Sequence, residues 1–128
     1  SYARVLRAEG IRPGDRIAIY MPMIPETAAV MLAAARIGAV HCVVFGGFGW
    51  EALRERIADS GSRVVLTASE GRRGGRAVPL KAVVDRAVAG LSSVERVLVV
   101  RHGDTPVAMT ESRDRWMADA ERESSAVD

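Results

Sequence analysis

Two short segments carry the residue types that could do chemistry in this chain. They are Phe45-Gly46-Gly47-Phe48 and, about two dozen residues later, Glu70-Gly71-Arg72-Arg73-Gly74-Gly75-Arg76. A glycine pair lets another molecule approach the backbone closely, and guanidiniums on a glycine-rich loop can hold phosphate through paired hydrogen bonds. Together the segments point to a phosphorylated cofactor. No side chain has the setting of a bond-making acid, base or nucleophile, so no catalytic residue is assigned and the chemistry indicated is binding.

More familiar phosphate motifs do not fit. The dinucleotide fingerprint needs G-x-G-x-x-G directly after the first strand and an acidic residue near the end of the second. The first strand here runs into Met21-Pro22-Met23 and the second ends at Phe45. A Walker A loop needs glycine followed by lysine and Ser or Thr. The single lysine, Lys81, instead lies between Leu80 and Ala82. His41 and Cys42 are adjacent and therefore point to opposite faces of a strand, and His102 stands alone, so no metal site is expected. Cys42 reads as a small core residue, and Met21, Met23 and Met31 as packing. Glu26, Glu51 and Glu70 are accounted for as helix starts and loops.

The elements that must position the two segments follow from periodicity and punctuation. Asp15 to Met21 (DRIAIYM) reads as a buried strand after the turn signal Arg12-Pro13-Gly14. Pro25 and Glu26 suit a helix start and Gly38 a helix stop. Between them Ala28 to Ile37 is apolar almost all round, and such a helix expects cover on most of its surface. His41 to Phe45 reads as a second strand, Glu51 to Asp59 as an amphipathic helix and Arg63 to Ala68 as a third strand. Pro79 opens a helix from Leu80 to about Ala89, ended by Gly90, and Glu95 to Val100 is a fourth strand. Arg113 to about Glu123 is read as a charged, exposed helix, with residues 117–128 as a frayed tail. Strands alternating with helices predict an α/β fold, a three-layer parallel sheet flanked by helices. Both glycine-bearing segments then fall at carboxyl ends of strands, where open α/β sheets bind ligands.

Composition sets bounds on the rest. A chain of 128 residues is one domain's worth, read as a single α/β subdomain over 1–128, and buries roughly two-thirds of its unfolded surface. One cysteine permits no intrachain disulfide, and the longest apolar runs fall well short of a bilayer span, so a cytoplasmic location and no membrane partner are expected. The net charge of +2 is spread along the chain and aromatics are 5%, which argues against nucleic acid.

Four ordered segments resemble a known family. Ile17-Ala18-Ile19-Tyr20-Met21-Pro22-Met23-Ile24-Pro25-Glu26, Ala35-Arg36-Ile37-Gly38-Ala39-Val40-His41, Phe45-Gly46-Gly47-Phe48, and Glu70 to Arg76 with Pro79-Leu80-Lys81 resemble the AMP-forming acetyl-CoA synthetases, in register from about Tyr2 to Trp116. The resemblance implies a two-step ligase that turns a short carboxylate and ATP into an acyl-adenylate and then lets the CoA thiol displace AMP. It implies CoA as cofactor, ATP and Mg2+ in the full enzyme, and acetate or a similar acid as substrate. Arg73 and Arg76 match the arginines that hold the phosphorylated adenosine end of CoA, and Gly46 matches a glycine contacting the same cofactor.

The chain departs from the family's pattern in two places. Arg72 stands where a small apolar residue is usual, and Gly49-Trp50 replaces a Ser-Pro helix start, at a cost of about 0.5 kcal/mol. The family's phosphate loop, adenylate-binding residues, acyl-pocket tryptophan and catalytic lysine match nothing here. The chain is therefore expected to be a fragment whose partner is the remainder of its polypeptide, inactive alone and weak in CoA affinity. A propionyl-CoA synthetase fragment, a self-sufficient CoA or phosphate sensor and a structural module for oligomerisation stay open as alternatives.

Overall fold

A computed structural model describes residues 1–44 and 49–126. In chain order the elements are α1 (Tyr2–Ala8), β1 (Arg16–Tyr20), α2 (Pro25–Ile37), β2 (Val40–Val43), α3 (Trp50–Ser60), β3 (Val64–Ala68), β4 (Gly71–Arg73), β5 (Arg76–Val78), α4 (Leu80–Val88), β6 (Arg96–Val100), β7 (Asp114–Trp116) and α5 (Met117–Ala126). Five strands form one parallel sheet in the order β2-β1-β3-β6-β7, and β4 pairs with β5 as a separate antiparallel hairpin.

The strands form where the sequence is continuously apolar because both faces of a parallel sheet are covered. Successive residues alternate between two cores. Ile17, Ile19, Val64, Leu66, Leu98 and Val100 pack with α1, α2 and α5. Ala18, Tyr20, Val65, Val97 and Val99 pack with α3 and α4 through Leu53, Ile57, Val84 and Val88. The chain leaves β1 toward β2 on one side and β3 toward β6 on the other, so the sheet's topological switch lies between β1 and β3. At the opposite, amino-terminal end, Arg63 staples the strands by binding Glu95 at 2.6 Å, Asp15 at 2.9 Å and the Gly10 carbonyl at 3.3 Å.

Several expectations need correction. The expected surface loop at Glu70–Arg76 contains the hairpin. The single helix expected from Arg113 is a strand followed by a helix, since Asp114 to Trp116 extend the sheet edge beside β6. Within the expected tail, Met117 to Ala126 form α5, with Met117 and Ala120 buried in the core shared with α1; residues 127–128 lie outside the described residues. In α2 the sheet-facing Val30, Ala33, Ala34 and Ile37 are buried, while Ala28, Ala29, Ala35 and Leu32 (72% exposed) are open. Met23 does not pack: in the Pro22–Pro25 bend it is 82% exposed. Cys42 is only half-buried, since β2 is an edge strand. The unusual Gly49-Trp50 start of α3 lacks a side-chain cap, as expected, but the Trp50 ring stacks under the Arg86 guanidinium of α4 at 4.6 Å. That contact adds a stabilising cation–π attraction between the two helices.

One polar network is buried between α4 and β7. Lys81 and Asp114 have side chains 2% and 0% exposed and meet at 2.8 Å. Lys81 Nζ also donates to Asp85 at 2.7 Å and to the Ala108 carbonyl at 2.6 Å, while Arg113 bridges Asp114 and Asp85 at 2.7 and 2.6 Å. Every lysine proton is therefore used, which is the condition for burying a charge without a large penalty. Removing Lys81 leaves two carboxylates, Asp114 and Asp85, sharing the single Arg113 cation and leaves the Ala108 carbonyl without this donor. Lys81→Met should cost about 3 kcal/mol of unfolding free energy in urea denaturation; a loss below about 1 kcal/mol would show that the network is not the clamp that holds β7.

Candidate functional site

The hairpin β4–β5 follows β3 directly and stands at the carboxyl end of the sheet beside the switch between β1 and β3. Its turn is the two-residue pair Gly74-Gly75, with φ values of +57° and +79°. Two consecutive positive φ angles match the twist of a tight hairpin and are strained for side-chain-bearing residues, which is why this turn needs both glycines. The register pairs Arg73 with Arg76, Arg72 with Ala77 and Gly71 with Val78.

Strand alternation sorts the three arginines. Arg73 and Arg76 are directly opposed and share one face of the hairpin, and Arg72 points to the other. Like charges directly opposite each other in a β-pair repel. Among the described residues neither Arg73 nor Arg76 has an acidic partner in an ion pair. Both are exposed. Arg72 is different: its Nε lies 3.5 Å from the Glu70 carboxylate, and it also donates to the Gly75 carbonyl at 3.4 Å. The extra guanidinium is thus neutralised within the hairpin's own root. Burial raises the Tyr20 phenol above its usual range and the charge of Arg73 opposes that rise, which sets Arg73 near the end of β1.

The hairpin root is tightly built. A side-chain carbon at Gly71 would lie 3.2 Å from Leu80 at the start of α4. Ser69 Oγ donates to the His102 carbonyl and accepts from the His102 amide, both at 2.8 Å. Glu70, expected to be an ordinary loop residue, is 3% exposed and accepts from the Thr105 amide at 2.9 Å and the Thr105 hydroxyl at 2.7 Å. Gly103, with φ +80°, sits so close that a side-chain carbon there would fall 2.1 Å from the Glu70 carboxyl carbon. These Thr105 bonds hold the Glu70 carboxyl below its usual range. At Asp114 burial pushes upward, but the bonds from Arg113, Lys81 and the Thr110 amide outweigh it, and its carboxyl is lowered too.

Of the expected site residues, Arg73 and Arg76 are brought together on one face. Gly46, with the rest of 45–48, lies outside the described residues. Among the described residues no three His, Cys, Asp or Glu side chains gather at metal-binding distance, and no helix is long and apolar enough to cross a membrane. The signal missed in the sequence was Glu70, an acid two residues after the fully buried strand β3 and directly before a glycine.

Helices on both faces of a parallel sheet, with an arginine-bearing hairpin at its carboxyl end, define an α/β protein of the open-sheet class. The chain matches the AMP-binding enzyme family over residues 1–127 and belongs to it. It is similar to the acetyl-coenzyme A synthetase of Saccharophagus degradans, 54% identical over 98% of this chain and 20% of that protein. It is likewise 52% identical to that of Halorhodospira halophila over 96% of this chain and 19% of that protein, and 53% identical to that of Phycomyces blakesleeanus over 89% and 17%. The chain therefore spans about one fifth of the length of these relatives.

The lowered carboxyls of Glu70 and Asp114 set the sign of a pH dependence. Each favours the folded state above the unfolded carboxylate pKa, and that contribution is lost as pH falls through the folded value. Thermal unfolding should therefore shift down steadily below about pH 4, with a shallower slope in Glu70→Gln; an unchanged slope would show that Glu70 is not held in its ionised form.

Proposed function

We propose that this chain is the CoA-side subdomain of an AMP-forming acetyl-CoA synthetase, acting in the cytoplasm, with Arg73 and Arg76 holding the 3′-phosphate of CoA. The observation that carries the reading is the opposed arginine pair, two cations on one face of a tight hairpin with no acidic partner among the described residues. A phosphate dianion relieves that repulsion and accepts from both planar guanidiniums at once. CoA supplies the thiol that takes the acyl group from its adenylate, formed from ATP with Mg2+ and a short carboxylate such as acetate. The chain's own part is to anchor the far, non-reacting end of CoA. Binding energy spent there fixes the cofactor's position for a reaction elsewhere. The match to acetyl-coenzyme A synthetases across nearly the whole chain supports this reading, as does the hairpin's place at the sheet switch. Gly46 is the further proposed CoA contact, by its position in the resembling segment. The groups that form the adenylate belong to other parts of the synthetase, so the chain by itself carries no ligase activity.

Titration of the chain with CoA and with 3′-dephospho-CoA, followed by amide NMR shifts, tests the assignment. CoA should bind at least about tenfold more tightly, the effect of one or two charge-assisted hydrogen bonds, and Arg73→Ala or Arg76→Ala should remove most of that preference. Equal affinity for the two ligands would overturn the site. In the same preparation acetate, ATP, Mg2+ and CoA should give no acetyl-CoA, and turnover would show that the chain holds the adenylating groups after all.

A further inference from the structure

The hairpin that carries Arg73 and Arg76 projects from the body, with residues 72–77 all exposed. A short hairpin closed by a two-residue turn is internally rigid in register, so its aim is set at its root. The root is Glu70 and Gly71. Glu70 spends its buried carboxylate on the loop after β6, taking both the amide and the hydroxyl of Thr105, and Gly103 lies against the carboxyl with no room for a side chain. Its other oxygen faces Arg72 on the hairpin itself. The carboxylate thus joins the hairpin's first strand to a second loop at the same end of the sheet. That loop is itself braced, since Arg101 stacks on Trp116 at 4.5 Å and donates to the Thr105 carbonyl at 2.9 Å.

We propose that Glu70 is a positioning residue for the phosphate site, a latch that fixes the direction in which Arg73 and Arg76 point by tying the hairpin root to Thr105. The inference rests on the CoA reading above for its ligand, but not for its mechanics. Arg72 belongs to the latch and not to the phosphate grip, which gives the departure from the family's usual small apolar residue a local role. A glutamine can accept the same two Thr105 bonds through its amide oxygen, whereas alanine accepts none.

The test uses three variants of the chain, Glu70→Ala, Glu70→Gln and Thr105→Val, each titrated with CoA and 3′-dephospho-CoA, with 15N order parameters recorded for Arg73, Gly74 and Gly75. Glu70→Ala should lose most of the preference for CoA, about tenfold as for other residues that orient ligand-holding groups, and the order parameters of the hairpin should fall. Glu70→Gln should restore both, and Thr105→Val should lie between. Retained preference and retained order in Glu70→Ala would overturn the latch, as would a Glu70→Gln variant as impaired as Glu70→Ala. If Glu70→Ala does not fold, Thr105→Val decides: wild-type preference and order there would equally overturn it. If the unaltered chain shows no preference for CoA, the CoA reading fails, and the order parameters alone then decide for or against the latch.

Discussion

A strand with parallel neighbours on both sides leaves neither of its faces to water, and every other feature of this molecule follows from meeting that constraint. β3 is buried along its whole length, with β1 and β6 in register beside it and helices above and below. Because covering helices must connect parallel strands in one hand, their loops collect at the two ends of the sheet. The carboxyl end receives the hairpin, the Glu70–Thr105 contact and the loop after β6. The amino end receives Arg63 and its three partners. Packing against the sheet thus separates a stapled end from an end with unspent charge.

The two ends use the same residue types in opposite ways. At the amino end Arg63 faces two carboxylates and a carbonyl, so its charge is consumed within the fold. The Lys81–Asp114 network does the same in the interior. At the hairpin tip the cations face one another, and the acid that could have quenched them, Glu70, is turned away to Thr105 and Arg72. A charge left without an internal partner is available to a ligand. The distinction between structural and binding arginines here is one of placement relative to acids, since composition alone cannot separate them in a chain with a single lysine.

That also describes what could be read from the sequence. Apolar runs such as Ile17–Tyr20 and Val64–Ala68, with Pro25 and Gly38 as punctuation, gave the order of strands and helices to within a residue or two. The position of Arg73 and Arg76 after β3 was equally legible. Neighbour relations across long separations were not. Glu70 meets Thr105 across 35 residues and Lys81 meets Ala108 across 27, and no local pattern encodes either. β7 escaped notice for a related reason: three residues, two of them charged, become a strand only because β6 offers a free edge. Met23 misled because its apolar side chain follows a proline that turns it outward.

The hairpin's two-glycine turn has one last consequence. Arg73 and Arg76 share a face because the two-glycine turn pairs them directly across the ladder, and side chains in a strand change face with every residue. Altering either arginine changes the strength of the grip. Adding or deleting one residue at the tip abolishes the two-glycine turn and demands another turn type or a one-residue slip in pairing, and such a slip carries a guanidinium to the face held by Arg72. Variation in this loop is therefore constrained in length more severely than in composition, and tip insertions are a harsher lesion than the substitutions beside them.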